Sequence, residues 1–172
     1  MLSPAYNERV SILTPEERQA LVVLLTGSRW VALATARDNE PLASWVAVAP
    51  GGEGAQYLLH ISQLSLHTRH LLANPRAALS FSEPDLDRAR DPQTLVRVSL
   101  QGRTDVIARD SAGYEAARER YLTHLPNAQI QFTLGDFQLM RFLPESARLV
   151  SGFGRAHRLN AEALNSLLVS HG

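Results

Sequence analysis

Residues 60–81, HISQLSLHTRHLLANPRAALSF, gather hydroxyls and cations at the start of a short helix. An apolar strand runs to Ser62, the pattern breaks up to Ser65, and His67, Thr68, Arg69 and His70 open a helical stretch that stops at Asn74-Pro75. The first turn of a helix is partly positive and offers free amides, so cations there are disfavoured unless an anion sits among them. Ser65, Thr68 and those amides can donate hydrogen bonds while His67 and Arg69 add charge, which is the chemistry of a phosphate site. The plain alternative is a solvated helix end with Arg69 in water. His67 and His70 at i and i+3 also make a metal pair, but no carboxylate stands beside them, and the anion reading is preferred.

Arg97 bears on that choice, because it is a charged residue inside a well-patterned strand. In LVRVSLQ, Val96, Val98 and Leu100 fall on one face and Arg97, Ser99 and Gln101 on the other. Polar residues facing into a small barrel need partners, and a bound phosphate would be one; facing outward, they are simply the solvent side. Ser44 and Trp45 lie mid-strand in PLASWVAV, where a tryptophan either packs or provides a stacking surface. SGFGRA, near the C-terminus, places two glycines around an aromatic and suits a segment laid against something flat, or an ordinary turn.

The elements that must position these residues follow from the pattern of the chain. Thr14 and Glu17 form a capping box, Pro15 takes the first helical position and Gly27 ends a helix over 15–26 with Leu21, Leu24 and Leu25 on one face. RWVALATA, LASWVAVAP and QYLLHIS read as strands joined by short polar turns, hence antiparallel hairpins. RAALSFSE and TLVRVSLQGRTDVIA supply two more, with Gly102 marking a bulge or bend. Residues 111–124 form an amphipathic helix with Tyr114, Ala117, Tyr121 and Leu125 buried, and FQLMRFLPESARLVSGFG gives one bent strand or two short ones. Asn160 caps a C-terminal helix over about 160–170, and residues 1–27 form a helical N-terminal segment. The expected fold is mainly β with peripheral helices, α+β in class, built on about six antiparallel strands in a small barrel, as one domain over 1–172.

Composition removes several classes of function. The absence of cysteine excludes disulfides, thiolate catalysis and cysteine-based metal sites. Seventeen basic residues balance seventeen acidic ones, so the long-range attraction on which nucleic-acid binders depend is missing. There is no secretion-signal pattern and no apolar run long enough to span a bilayer, so the expectation is a cytoplasmic protein with neither nucleic-acid nor membrane partner. Glycine-rich nucleotide loops, nucleophile elbows and His-Glu-x-x-His are all missing.

Taken in order, LSLHTRHLLANPRAALSF, VRVSLQGR and SGFGRA resemble the flavin-binding split-barrel superfamily that includes pyridoxamine 5'-phosphate oxidase, and within it the haem-utilisation-like branch. The likeness covers about residues 15–158. It implies a six-stranded antiparallel split β-barrel, homodimeric, with two FMN sites in the subunit interface. By this resemblance Ser44, Trp45 and Val46 lie along the isoalloxazine, Ile61 and Ser62 near the ring and ribityl chain, and Ser65, His67, Thr68 and Arg69 on the phosphate, with Arg97 reaching it from a neighbouring strand. His67 stands where the oxidases have lysine and Arg97 where they have glutamine. The arginine-rich C-terminal signature that grips pyridoxal phosphate has no counterpart, which argues against vitamin B6 oxidation. The first expectation is therefore an FMN-dependent oxidoreductase of unspecified substrate and no nominated catalytic acid or base. The alternatives are a haem-binding or haem-degrading protein, with His157 or His171 as axial ligand, and a non-enzymatic flavin carrier.

Overall fold

Helix α1 (Pro15–Gly27) begins as the capping box requires: the Glu17 amide donates to Thr14 Oγ1 at 3.3 Å and the Thr14 amide to Glu17 Oε2 at 2.9 Å. Its buried stripe is Leu21, Val22, Leu24 and Leu25. The computed structural model describes residues 13–52, 54–152 and 155–169; residues 1–12 of the expected N-terminal helical segment lie outside the described residues, as does His171.

Strands β1 (Trp30–Arg37) and β2 (Glu40–Ala47) form a hairpin over Asp38 and Asn39, whose φ values of 53° and 64° suit the two-residue turn that matches strand twist. Then come β3 (Ala49–Pro50), β4 (Tyr57–Ser62), helix α2 (Leu66–Ala73), β5 (Arg76–Ser82) and β6 (Arg97–Ile107). Helix α3 (Tyr114–His124), a 3-10 run over Pro126–Thr133, β7 (Phe137–Val150), β8 (Ala156–Asn160) and helix α4 (Ala161–Val169) complete the chain. Asn160 caps α4, its Oδ1 accepting from the Ala163 amide at 2.9 Å.

All strands belong to one antiparallel sheet in the order β2-β1-β5-β6-β7-β4-β3, with β8 on the second half of β7. β2 and β3 are opposite ends of that order, yet only Val48 separates them in the chain, so the sheet must curl round on itself. Eight strands replace the six expected. The fully buried Val48 divides one expected strand into β2 and β3, and the run after the SGFGRA turn adds β8. FQLMRFLPESARLV is a single fourteen-residue strand, β7, that pairs with β4, β6 and β8. The register shift between Gln101 and Gly102 confirms the bulge, where a Cβ on Gly102 would stand 2.1 Å from the Leu143 carbonyl.

The concave side holds the main core, with Leu21, Leu33, Leu59, Phe81, Leu100 and Phe142 among its residues. A second cluster forms on the convex side, where α3 and the 3-10 run cover β4 and the start of β7: Leu58, Tyr114, Tyr121, Leu125, Phe132 and Leu139. No helix among the described residues is long and apolar enough to cross a membrane.

Candidate functional site

The site-forming residues read from the sequence separate into two groups. Continuing the β3–β4 register, in which Ala49 faces Leu58, would set Val46 opposite Ile61 and Trp45 opposite Ser62. Instead the pairing stops, and β2 and β4 diverge while staying within 8 Å of each other. Ser44, Trp45, Val46, Ile61 and Ser62 therefore flank an opening in the curled sheet, and α2 starts directly beyond Ser62. Val46 and Ile61 are buried in the core, so their side chains are structural and only their backbones can serve the opening.

Around the start of α2 several polar groups have spare capacity. Ser65 is the N-cap but makes no side-chain cap bond, which leaves its hydroxyl and the first-turn amides available. The Thr68 hydroxyl is wholly buried without a hydrogen-bond partner, and so is the Ser44 hydroxyl across the opening. Arg69 is exposed and spends one N–H on the Leu64 carbonyl at 3.0 Å. Burial lowers the pKa of the half-buried His67, with His70 acting in the same direction, which favours its neutral ring and works against the phosphate-cation role the sequence suggested. Ser62 is tied elsewhere, its Oγ donating to Asp136 Oδ2 at 2.5 Å.

Arg97 does not join this group. It faces Ser82 and Val150, whereas α2 feeds into the other end of β5 at Arg76, six residues and about 20 Å away along the strand. Its guanidinium donates to the carbonyls of Gln93 and Leu95, on the convex side of the sheet. Trp45 lies on that same side, stacked on Trp30 with ring centroids 6.3 Å apart and planes 11° apart. Both rings are about 60% exposed, at 60% and 61%. Trp30 carries no local signal in the sequence, because its partnership depends on the β1–β2 register.

SGFGRA takes a role that spacing did not suggest. Its first residue closes a turn between β7 and β8, the Ser151 amide donating to the Arg155 carbonyl at 3.0 Å, and Phe153 and Gly154 lie outside the described residues. Ser151 Oγ donates to Glu17 Oε1 at 2.7 Å, His157 Nε2 lies 3.1 Å from the same oxygen and Arg155 Nε 3.3 Å from it. The Ser151 bond first, then the Thr14 amide and His157, hold the buried Glu17 carboxyl down at about 2 against the opposing effect of burial. His157, one of the two expected axial ligands, is thus committed to a buried carboxylate and fixes β8 to α1. Another buried histidine, His60, stacks on Phe132 at 3.7 Å and meets Tyr121 edge-on. Burial, with Arg109 in the same sense, pushes its pKa down to about 4; Gln131 pulls weakly the other way without an ordinary hydrogen bond.

Comparison with known proteins agrees with this architecture. The family model described as pyridoxamine 5'-phosphate oxidase matches residues 17–151. A chloroplastic haem oxygenase of Arabidopsis thaliana, HOZ, is 33% identical over 160 residues, covering 90% of this chain and 46% of that protein. Among solved structures, a haem-binding protein from Mycobacterium smegmatis is 25% identical with a TM-score of 0.77, over 90% of this chain and 62% of its own. HutZ, the haem storage protein of Vibrio cholerae, shares the fold at 23% identity and a TM-score of 0.63, over 76% of this chain and 86% of its own. The chain thus spans less than half of the curated relative and under two thirds of the mycobacterial structure.

Proposed function

The chain belongs to the pyridoxamine 5'-phosphate oxidase family, and from that premise we propose that it is a redox protein binding FMN at the opening between β2 and β4. The observation that carries this reading is the pair of buried, unpartnered hydroxyls of Ser44 and Thr68 on either side of that opening. A buried hydroxyl left unpaired costs about 1–3 kcal/mol, which a polar ligand recovers. Ser65, Thr68, the first-turn amides and Arg69 would hold the phosphate, with Ser44 and the backbone of Trp45, Val46, Ile61 and Ser62 along the ring. Arg97 can reach such a site only from a second subunit, which makes the homodimer part of the proposal and the opening the split of a split barrel. When bound, the flavin supplies electron or hydride transfer; the protein supplies position and exclusion of water.

A second reading, haem binding or degradation, is favoured by the 33% identity to a haem oxygenase over most of this chain. Under it Arg69 and Ser65 would take propionates. With His157 held by Glu17, His67 is the histidine beside the opening, and its lowered pKa favours the neutral ring that iron requires.

Titration of the purified protein with FMN, riboflavin and hemin separates these readings. Fluorescence quenching is expected to show FMN bound at least about tenfold more tightly than riboflavin, since one charge-assisted contact is worth that much. Equal affinity for the two flavins refutes the phosphate assignment, and a Soret shift with hemin but no flavin binding establishes the second reading. Sedimentation of the FMN complex is expected at twice the 19.0 kDa of the chain. A stoichiometric complex of single-chain mass sinks the shared site.

A further inference from the structure

His60 is a buried titratable side chain that the site at the opening does not use. It is 4% exposed, and neither of its ring nitrogens has a hydrogen-bond partner. It stands opposite Leu139 of β7 and two residues before Ser62, under the roof of the convex face. Phe137 of β7, Tyr121 of α3 and Phe132 and Gln131 of the 3-10 run surround it. The charges near it are cations: Arg109, from the segment after β6, acts on the ring itself, and Arg118 of α3 lies over the Phe132 ring, 5.5 Å from its centroid. The carboxylates of these elements are engaged elsewhere or face water, Glu115 holding Arg118, Asp136 accepting from Ser62, and Asp110 and Glu119 being exposed.

A proton on this ring creates a cation out of water, beside Arg109 and with no acceptor for its N–H groups. Attraction to the face of Phe132 opposes that cost, but Arg118 already draws on the same ring. The part of the cover able to yield is the 3-10 run. No strand pairs with it, 3-10 hydrogen bonds are poorly aligned, and Arg109 Nη2 ties down its end, donating to the Leu134 carbonyl at 3.1 Å and the Phe137 carbonyl at 3.3 Å. The arginine that pins the run is thus the one a charged His60 repels. The run leads through Gly135 into Asp136, whose carbonyl accepts from the Gln63 amide at 2.7 Å and whose carboxylate holds the Ser62 hydroxyl. Those two bonds fix the turn from which α2 starts.

We propose that His60 is an acid-operated latch: when its ring takes a proton, Phe132 and the 3-10 run leave the convex face, and Asp136 loses its hold on the turn that begins α2. Opening of the roof stands on its own geometry; release of a cofactor from α2 rests on the FMN reading above. Burial first, then Arg109, bring the closed ring down to about 4 from an ordinary 6.5. The opened state therefore binds the proton first, so closure is fully stable above pH 6.5 and weakens as pH falls toward 4. Glu17, held at about 2, keeps its charge across this window.

Hydrogen exchange of the whole protein, corrected for intrinsic rates, reads the latch. Between pH 6 and 4.5 opening of residues 126–134 is expected to increase nearly tenfold per pH unit in wild type and to stay flat in H60F, which keeps a stacked ring that takes no proton. H60Q serves as a second variant without a titrating ring, and the β6–β7 ladder is the internal reference. Fluorescence titration is expected to show FMN affinity falling at least about tenfold more in wild type than in H60F over the same range. Equal exchange in wild type and both variants overturns the latch, as does a proton NMR titration in which the wild-type His60 ring is protonated while the run stays closed. If the roof opens but FMN affinity follows one course in wild type and H60F, control of α2 is overturned. If wild type binds no FMN while its roof opens with His60, the cofactor reading has failed and the latch stands.

Discussion

The convex face of the sheet has two halves built from the same strands and treated oppositely. Over β4 and the first half of β7 it is roofed by α3 and the 3-10 run, which bury Leu58, Leu139, Tyr121 and Phe132 as a second core. Over β2, β1, β5 and the second half of β7 no helix of the described residues covers it, and its side chains are mostly alanine, serine and arginine with two stacked tryptophans. On the roofed half, strand residues on both faces are buried, as the unbroken run of β4 from Tyr57 to Ile61 shows. On the bare half, only the concave face is. The proposed homodimer would cover this face, where two stacked tryptophans stand exposed on an otherwise small-residue surface.

Mutations on each half should separate folding from assembly. The largest effect is expected from Tyr121→Ala on the roofed half, where a fully buried ring is lost: about 3–5 kcal/mol of folding stability, read from the urea midpoint. Next comes Glu17→Ala, which acts on the bare half from beneath by releasing β8, and is expected to cost about 2–3 kcal/mol. The pH dependence of the same clamp has a definite sign. The folded Glu17 carboxyl titrates at about 2 against an ordinary 4.5, so its contribution is complete above pH 4.5 and disappears as pH falls toward 2. Acid titration of Glu17→Gln should lack that component, and an identical acid limb in both proteins would contradict the clamp.

Trp45→Ala, by contrast, is expected to change folding stability by less than about 1 kcal/mol while dissociating the proposed dimer in sedimentation. If it unfolds the chain, the stack is core rather than interface. The smallest effect on folding belongs to Thr68→Val, within about 1 kcal/mol of wild type or slightly stabilising, because an unpartnered buried hydroxyl is removed. FMN affinity should nevertheless drop several-fold, and loss of stability without loss of affinity would make the hydroxyl structural.

Much of the fold was legible because it is local. The capping box at Thr14 and Glu17, the alternation of β6, the bulge at Gly102 and the Asn160 cap all depend on residues a few positions apart. What escaped was non-local. Glu17 reads as a cap, but its other contacts, Ser151 and His157, lie 134 and 140 residues away. The family resemblance set Arg97 beside the residues of α2, whereas register sends it to the opposite end of β5. The pairing of Trp30 with Trp45 depends on register in the same way, so no periodicity within a single segment could have shown it.

The closure of the curled sheet has a consequence for motion. β3 holds β4 through two residue pairs, one of them at Pro50, which has no amide to give, while β6 and β7 share eleven pairs. Amide exchange in the β3–β4 ladder should therefore proceed by local opening at low free energy, whereas the β6–β7 ladder exchanges only when the whole chain unfolds. The weakest seam in the sheet lies next to the opening between β2 and β4, so the strands part most easily on the side where the proposed cofactor would enter.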